Sequence, residues 1–134
     1  MTASETRVLI SSAEDIVTAR QTGRILANEL GFDGVEVTLI IAAISEVSRN
    51  ILEHAKRGEI LLRCLRQGSR AGLCVVARDE GPGIPDLAQA MQYGYSSRRG
   101  LGVGLPGAKW LMDEFDIESK VGLGTTVTMK KWLD

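Results

Sequence analysis

Residues Asp79–Gly104 hold six glycines and two prolines. Glycine weakens regular structure and proline interrupts it, so no long helix or strand runs through this stretch. It is also longer than an ordinary connection, and long glycine-rich segments inside a compact domain tend to carry function. The chain is thus a patterned first part, an irregular middle and a patterned last part. With 134 residues, a single domain over 1–134 is expected, its core shared by both patterned parts.

The first part reads strand, helix, helix, hairpin. Thr6–Ile10 suits a short strand. Ser11-x-x-Glu14 has the form of a capping box, with Ser12-x-x-Asp15 as a competing register. A helix is expected over Ala13–Leu30, with Ile16, Ala19, Gly23, Leu26, Ala27 and Leu30 inside and Gly31 as a left-handed cap. After the connector Phe32-Asp33-Gly34, a second helix is expected over Val35–His54. Its core line is Ile40, Ile44, Val47 and Ile51, at about 100° per residue. Glu59–Arg66 alternates as a strand, Gln67–Gly72 reads as a hairpin loop, and Leu73–Arg78 is apolar enough for a central strand.

In the middle, Pro85-Asp86 is expected to start one short helix reaching Met91 or Gln92. The last part reads as a helix over Leu105–Glu114, a strand over Asp116–Lys120, a turn at Val121–Gly124 and a strand over Thr125–Trp132. Hairpins dominate, so the expected class is an α+β two-layer sandwich: a mixed, mostly antiparallel sheet with helices on one face.

Bulk properties exclude several functions. The chain is 44% hydrophobic and 25% charged with a net charge of −1, which carries neither a nucleic-acid footprint nor a polybasic membrane patch. No apolar run approaches the roughly 20 residues of a membrane span. Met1-Thr2-Ala3-Ser4-Glu5 lacks the form of a secretory signal, so a cytoplasmic location is expected. Cys64 and Cys74 flank the hairpin turn. They read either as neighbours across it or, more plainly, as two reduced, half-buried thiols. No Cys/His cluster suggests zinc.

Four groups of residues carry possible chemistry. Glu46 and Asn50, at i and i+4, share one helix edge away from the aliphatic line. A carboxylate there suits a general base, and a side-chain carbonyl suits Mg²⁺, which also takes phosphate oxygens and water. Asp79-Glu80-Gly81-Pro82-Gly83 follows an apolar strand. Its carboxylate can accept from an exocyclic amine, and its glycines admit a flat ring. Gly100-Leu101-Gly102-Val103-Gly104 precedes a helix whose N-terminus favours anionic oxygen, and Ser96-Ser97-Arg98-Arg99 before it offers phosphate contacts. The spacing fits neither a P-loop nor a Rossmann fingerprint. Gly124-Thr125-Thr126 opens the last strand. Taken singly, these are a solvated helix edge, a glycine-proline turn, a glycine-rich loop with a solvated arginine pair, and a turn exit. His54 suits a helix end better than catalysis. Trp110 and Trp132 read as core, edge or partner-facing residues.

In combination, Glu46-x-x-x-Asn50, Asp79-x-Gly81-x-Gly83, Gly100-x-Gly102-x-Gly104 and Gly124-Thr125 resemble the GHKL superfamily of ATPases and kinases, which share the Bergerat fold. The likeness spans nearly the whole chain. Within that superfamily the chain is similar to the anti-sigma-factor kinase branch and its serine/threonine switch kinases of bacterial stress signalling. Asp15-Ile16-Val17-x-Ala19-Arg20-Gln21, Ala43-Ile44-Ser45-Glu46, Arg49-Asn50-Ile51, Gly104-Leu105-Pro106-Gly107 and Leu111-Met112-Asp113-Glu114-Phe115 carry that narrower likeness. Arg98-Arg99 and His54-Ala55-Lys56-Arg57 are more basic than the branch's pattern.

The resemblance implies ATP and Mg²⁺ as cofactors. It implies Asn50 as the Mg²⁺ ligand, Glu46 as the base for a substrate hydroxyl, and Asp79 as the reader of the adenine amine. Gly81, Gly83 and Thr125 would lie near the base, and Arg98, Gly100, Leu101, Gly102, Val103 and Gly104 near the phosphates. The implied substrates are Ser/Thr of STAS-domain proteins of the RsbS and RsbR types in the stressosome. The implied effector is an RsbU-type phosphatase. Competing readings are an anti-sigma factor or ATP-gated module acting by sequestration, and a histidine-kinase catalytic domain. The second lacks a dimerisation helix with a phosphoacceptor histidine in this sequence. Glu46 favours an enzyme, since nucleotide binding alone needs no base.

Overall fold

A computed structural model describes residues 5–87, 91 and 104–133. The chain forms β1 (Glu5–Ile10), α1 (Ala13–Leu30), α2 (Gly34–His54), β2 (Gly58–Gln67), β3 (Arg70–Asp79), α3 (Gly104–Leu111), β4 (Glu114–Lys120) and β5 (Gly124–Trp132). The strands make one sheet in the order β1-β2-β3-β5-β4. All four pairings are antiparallel, so the described sheet has no parallel component. β3 is central, as its apolar sequence predicts.

Register assigns the faces. Ile60 pairs with Ala77, Leu62 with Val75, and Val75 in turn with Met129. All are buried and share one core with Ile40, Ile44, Val47 and Ile51 of α2. The opposite face carries charge. Glu59 accepts from Arg7 and, through Nε and Nη2, from Arg78, with the Arg78 contacts at 2.8 and 2.6 Å. The Arg78 hydrogen bonds, then the one from Arg7, hold the Glu59 carboxyl below its ordinary value against the opposing effect of burial. Cys64 pairs with Leu73 and Cys74 with Arg63, so the two thiols lie on opposite faces and cannot meet across the hairpin. Both are free; Cys64 is half-buried and Cys74 buried.

The helix starts follow local chemistry. Of the two capping registers the second is realised: the Asp15 carboxylate accepts from the Ser12 N–H at 3.1 Å and from the Ser11 N–H at 2.8 Å. Asp33 caps α2 by accepting from the Glu36 N–H at 2.8 Å. Gly31 closes α1 at φ 100°, and its N–H donates to the Ala27 and Asn28 carbonyls. Ala19, Gly23 and Ala27 line the buried side of α1. A Cβ on Gly23 would lie 2.4 Å from Ile44 Cδ1, so small residues bring α1 onto α2.

Two expected boundaries are corrected. The hairpin loop is not Gln67–Gly72, because Gln67 still pairs with Arg70 and only Gly68 and Ser69 turn. Gly68, at φ 64°, supplies the left-handed geometry of a tight turn. The third helix ends at Leu111 instead of Glu114. There the Asp113 N–H donates to the Lys130 carbonyl at 3.0 Å, and Glu114 joins the sheet opposite Lys130. The buried Lys131 Nζ donates to the Leu111 carbonyl at 3.1 Å, satisfying the helix end. The expected short helix from Pro85 is described only in part: the Met91 N–H donates to the Leu87 carbonyl at 3.0 Å, and 88–90 and 92 lie outside the described residues.

Trp110 is 77% exposed, whereas Trp132 is buried and donates through Nε1 to Glu114 at 2.6 Å. Among the described residues no helix is long and apolar enough to cross a membrane.

Candidate functional site

The site begins on α2. Its aliphatic line turns into the core, which leaves Glu46 and Asn50 on a half-buried edge. One Glu46 oxygen, Oε1, accepts twice: from Arg49 Nη1 at 2.9 Å and from the Gly104 N–H at 3.2 Å. Gly104 is the first residue of α3, at φ 67°. The helix edge therefore meets the point where the glycine-rich stretch enters α3. The Asn50 side chain makes no hydrogen bond to a described residue.

A second group forms where β3 ends. Asp79 is 9% exposed and lies on the core-facing side, paired with Thr125 of β5. Its Oδ1 accepts from the Gly81 N–H at 2.9 Å. Oδ2 has no partner among the described residues, which leaves it open as an acceptor.

The glycines here are demanded first by the protein itself. A Cβ on Gly81 would lie 2.5 Å from Ala55 Cβ, just past the end of α2. Gly83 has φ 81°, and its Cβ would lie 2.4 Å from the Lys120 carbonyl oxygen. These contacts draw the loop after β3 against α2 on one side and the β4–β5 turn on the other. Whatever flat ring approaches must use the space left over.

Ser119 is the hub that sequence reading missed. Its hydroxyl accepts from the Ile84 N–H at 2.7 Å, lies 2.8 Å from Thr125 Oγ1 and 3.3 Å from the Gly124 carbonyl. The Gly122 N–H adds a bond to the Pro82 carbonyl at 2.8 Å. The signal available was period two: Ser119 follows Phe115 and Ile117 on the inward side of β4. Arg49 stands at i+3 from Glu46, which is contact spacing on a helix.

The structure thus gathers Asp79, Gly81, Gly83 and Thr125 around the end of β3, and Glu46 with Gly104 beside α3. The proposed phosphate contacts Arg98, Gly100, Leu101, Gly102 and Val103 lie outside the described residues. His54 sits in the last turn of α2, a position that suits a helix end. A hollow of about 850 Å³ opens near the same end of the sheet. It is lined by Arg7, Arg57 and Arg78 against Glu59, Asp79 and Glu80, so its charges balance and it shares only Asp79 with the candidate set.

Comparison with known proteins places the chain. Residues 9–131 match the family described as the histidine kinase-like ATPase domain. Serine/threonine-protein kinase RsbT of Bacillus subtilis (strain 168) is 48% identical, over 94% of this chain and 95% of that protein. An anti-sigma F factor of Thermoanaerobacter sp. (strain X514) is 34% identical, over 73% of this chain and 71% of that one. Among solved structures, the RsbU and RsbW domains of a Mycobacterium tuberculosis protein align with a TM-score of 0.64 at 22% identity. That alignment covers 100% of this chain, which spans 34% of the larger one. The catalytic domain of histidine kinase ThkA aligns with a TM-score of 0.52 at 14% identity, covering 98% of this chain and 95% of that domain. At such identities the two structures attest the fold. The chain belongs to the histidine kinase-like ATPase domain family, in the branch that holds serine/threonine-protein kinase RsbT.

Proposed function

We propose that this chain is a serine/threonine-protein kinase that transfers the γ-phosphoryl group of ATP to a hydroxyl of a STAS-domain protein. The observation that carries the reading is the Glu46 carboxylate, seated on α2 one turn before Asn50 and hydrogen-bonded to the N–H that opens α3. A module that only bound nucleotide would need no carboxylate at that point.

Each role follows from the chemistry available. Asp79 Oδ2 accepts from the adenine amine while Oδ1 stays on the Gly81 N–H. Gly83 and Thr125 flank the base, Thr125 through its Ser119-bound hydroxyl. Gly100, Leu101, Gly102, Val103 and Gly104 wrap the phosphates, with Arg98 neutralising charge beside them. Asn50 fits Mg²⁺ because its side-chain carbonyl is uncommitted among the described residues. An ion bound there would neutralise charge on the transferring phosphoryl group. Glu46 takes the proton of the attacking hydroxyl. RsbS- and RsbR-type proteins of the stressosome are the proposed acceptors. An RsbU-type phosphatase is the proposed effector once the kinase is released. A cytoplasmic location accords with these partners.

A second reading, sequestration of a sigma factor, is favoured by the relatives named anti-sigma F factor. Transfer of labelled γ-phosphate to RsbS- and RsbR-type proteins separates the two. We expect transfer that is lost in Glu46→Ala and Asn50→Ala. No transfer, together with tight binding to a sigma factor, would replace the kinase reading with the second.

A further inference from the structure

The two hydrogen bonds at Glu46 fall on one oxygen. Arg49 Nη1 lies 2.9 Å from Oε1, and the Gly104 nitrogen lies 3.2 Å from the same atom. Oε2 has no partner among the described residues. A glutamate has three rotatable side-chain bonds, so two donors meeting one of its oxygens limit where the carboxylate can lie. Arg49 and Gly104 approach from different elements, α2 itself and the start of α3. Together they hold Oε1 from two sides.

Resting on the kinase reading above, we propose that Arg49 is a positioning residue that holds Glu46 Oε1 against the Gly104 N–H, reserving Oε2 for the proton of the substrate hydroxyl. In the transfer step the hydroxyl oxygen bonds to the γ-phosphorus, and the bond from that phosphorus to the β–γ bridging oxygen breaks. ADP leaves with that electron pair, and the hydroxyl proton goes to Oε2. Arg49 touches neither substrate nor nucleotide in this scheme; it acts through Glu46. Gly104 closes the glycine-rich stretch, so the same oxygen links the aim of the base to the segment assigned to the phosphates.

The Arg49 side chain is 41% exposed, so truncating it opens a site to solvent without emptying the core. The test uses the full chain, labelled ATP and an RsbS-type STAS protein, with kcat and ATP affinity measured separately. Arg49→Ala should lower kcat about 10–100-fold with ATP affinity within about twofold, since a misaimed base costs the chemical step. Arg49→Lys should recover part of the loss, and added guanidinium at millimolar concentration should partly rescue Arg49→Ala. Glu46→Ala should abolish transfer whether Arg49 is present or replaced. An unchanged kcat in Arg49→Ala while Glu46→Ala is inactive overturns the positioning role alone. Full activity in Glu46→Ala removes the base reading and this inference with it.

Discussion

Gly124 lies so close to Asp79 that a Cβ on the glycine would stand 2.1 Å from the Asp79 carbonyl oxygen. Gly124 also has φ 129°, where side chains are rarely tolerated. The first residue of β5 is therefore pressed against the backbone of the residue whose carboxylate anchors the candidate adenine site. Gly124→Ala should destabilise the fold by at least about 2 kcal/mol, from backbone strain and overpacking together. Urea unfolding at constant m-value measures it. A midpoint equal to that of the parent protein would show that the contact relaxes without cost.

Asp79→Asn tests the adenine assignment with the local fold kept. The asparagine oxygen can still accept from the Gly81 N–H, while its amide nitrogen replaces the open acceptor with a donor. ATP affinity should fall by about 1–3 kcal/mol, and inosine triphosphate, whose ring carries a carbonyl in place of the amine, should lose less. Calorimetric titration of both nucleotides checks this. Equal affinities before and after substitution would remove Asp79 from the base-recognition site.

Glu59 gives the fold an acid-side dependence. Its hydrogen bonds from Arg78 and Arg7 keep the carboxyl below its ordinary value of 4.5 when folded. The unfolded chain thus binds this proton more readily. The stabilisation is fully present above the unfolded value and is lost as pH falls through the folded one. Glu59→Gln should flatten stability against pH below about 4.5, leaving the slope that Asp15 contributes, since its carboxyl is lowered too, by the Ser11 N–H first. Urea midpoints from pH 6 to pH 3 decide it; parallel curves for parent and variant would exclude Glu59 as the source.

Lys56 carries a left-handed backbone, φ 72°, just past the end of α2. A lysine there holds a conformation that glycine adopts freely. Lys56→Gly should stabilise the protein by a few tenths to about 1 kcal/mol, the relief of strain exceeding the added chain entropy. Thermal unfolding at matched concentration is sufficient, and a lowered midpoint would mean that the Lys56 side chain contributes more than its strain costs.

Much of this protein is written in short-range relations. The core line of α2 is visible as Ile40, Ile44, Val47 and Ile51, and Asp33 and Gly31 mark helix ends by chemistry that acts within one turn. Glu46 with Asn50, and Asp79 with Gly81, are legible for the same reason: their spacing is the spacing of one helix or one turn. The contacts that give these residues their surroundings are of another kind. Gly104 meets Glu46 across 58 positions and Ile84 meets Ser119 across 35. Neither follows from periodicity, because each needs two separately formed elements brought to a particular register. The same holds for the cysteines: sequence leaves open whether they meet across the hairpin, and the Cys64–Leu73 and Cys74–Arg63 pairings set them on opposite faces. Sequence alone determined which residue types are on offer, a carboxylate and an amide one turn apart on a helix and a carboxylate before a glycine-rich turn. Packing decided which oxygen of Glu46 is held, which atoms crowd Gly81, Gly83 and Gly124, and that Ser119 ties the two loops together, because only a packed sheet and helix layer sets distances between residues far apart in the chain.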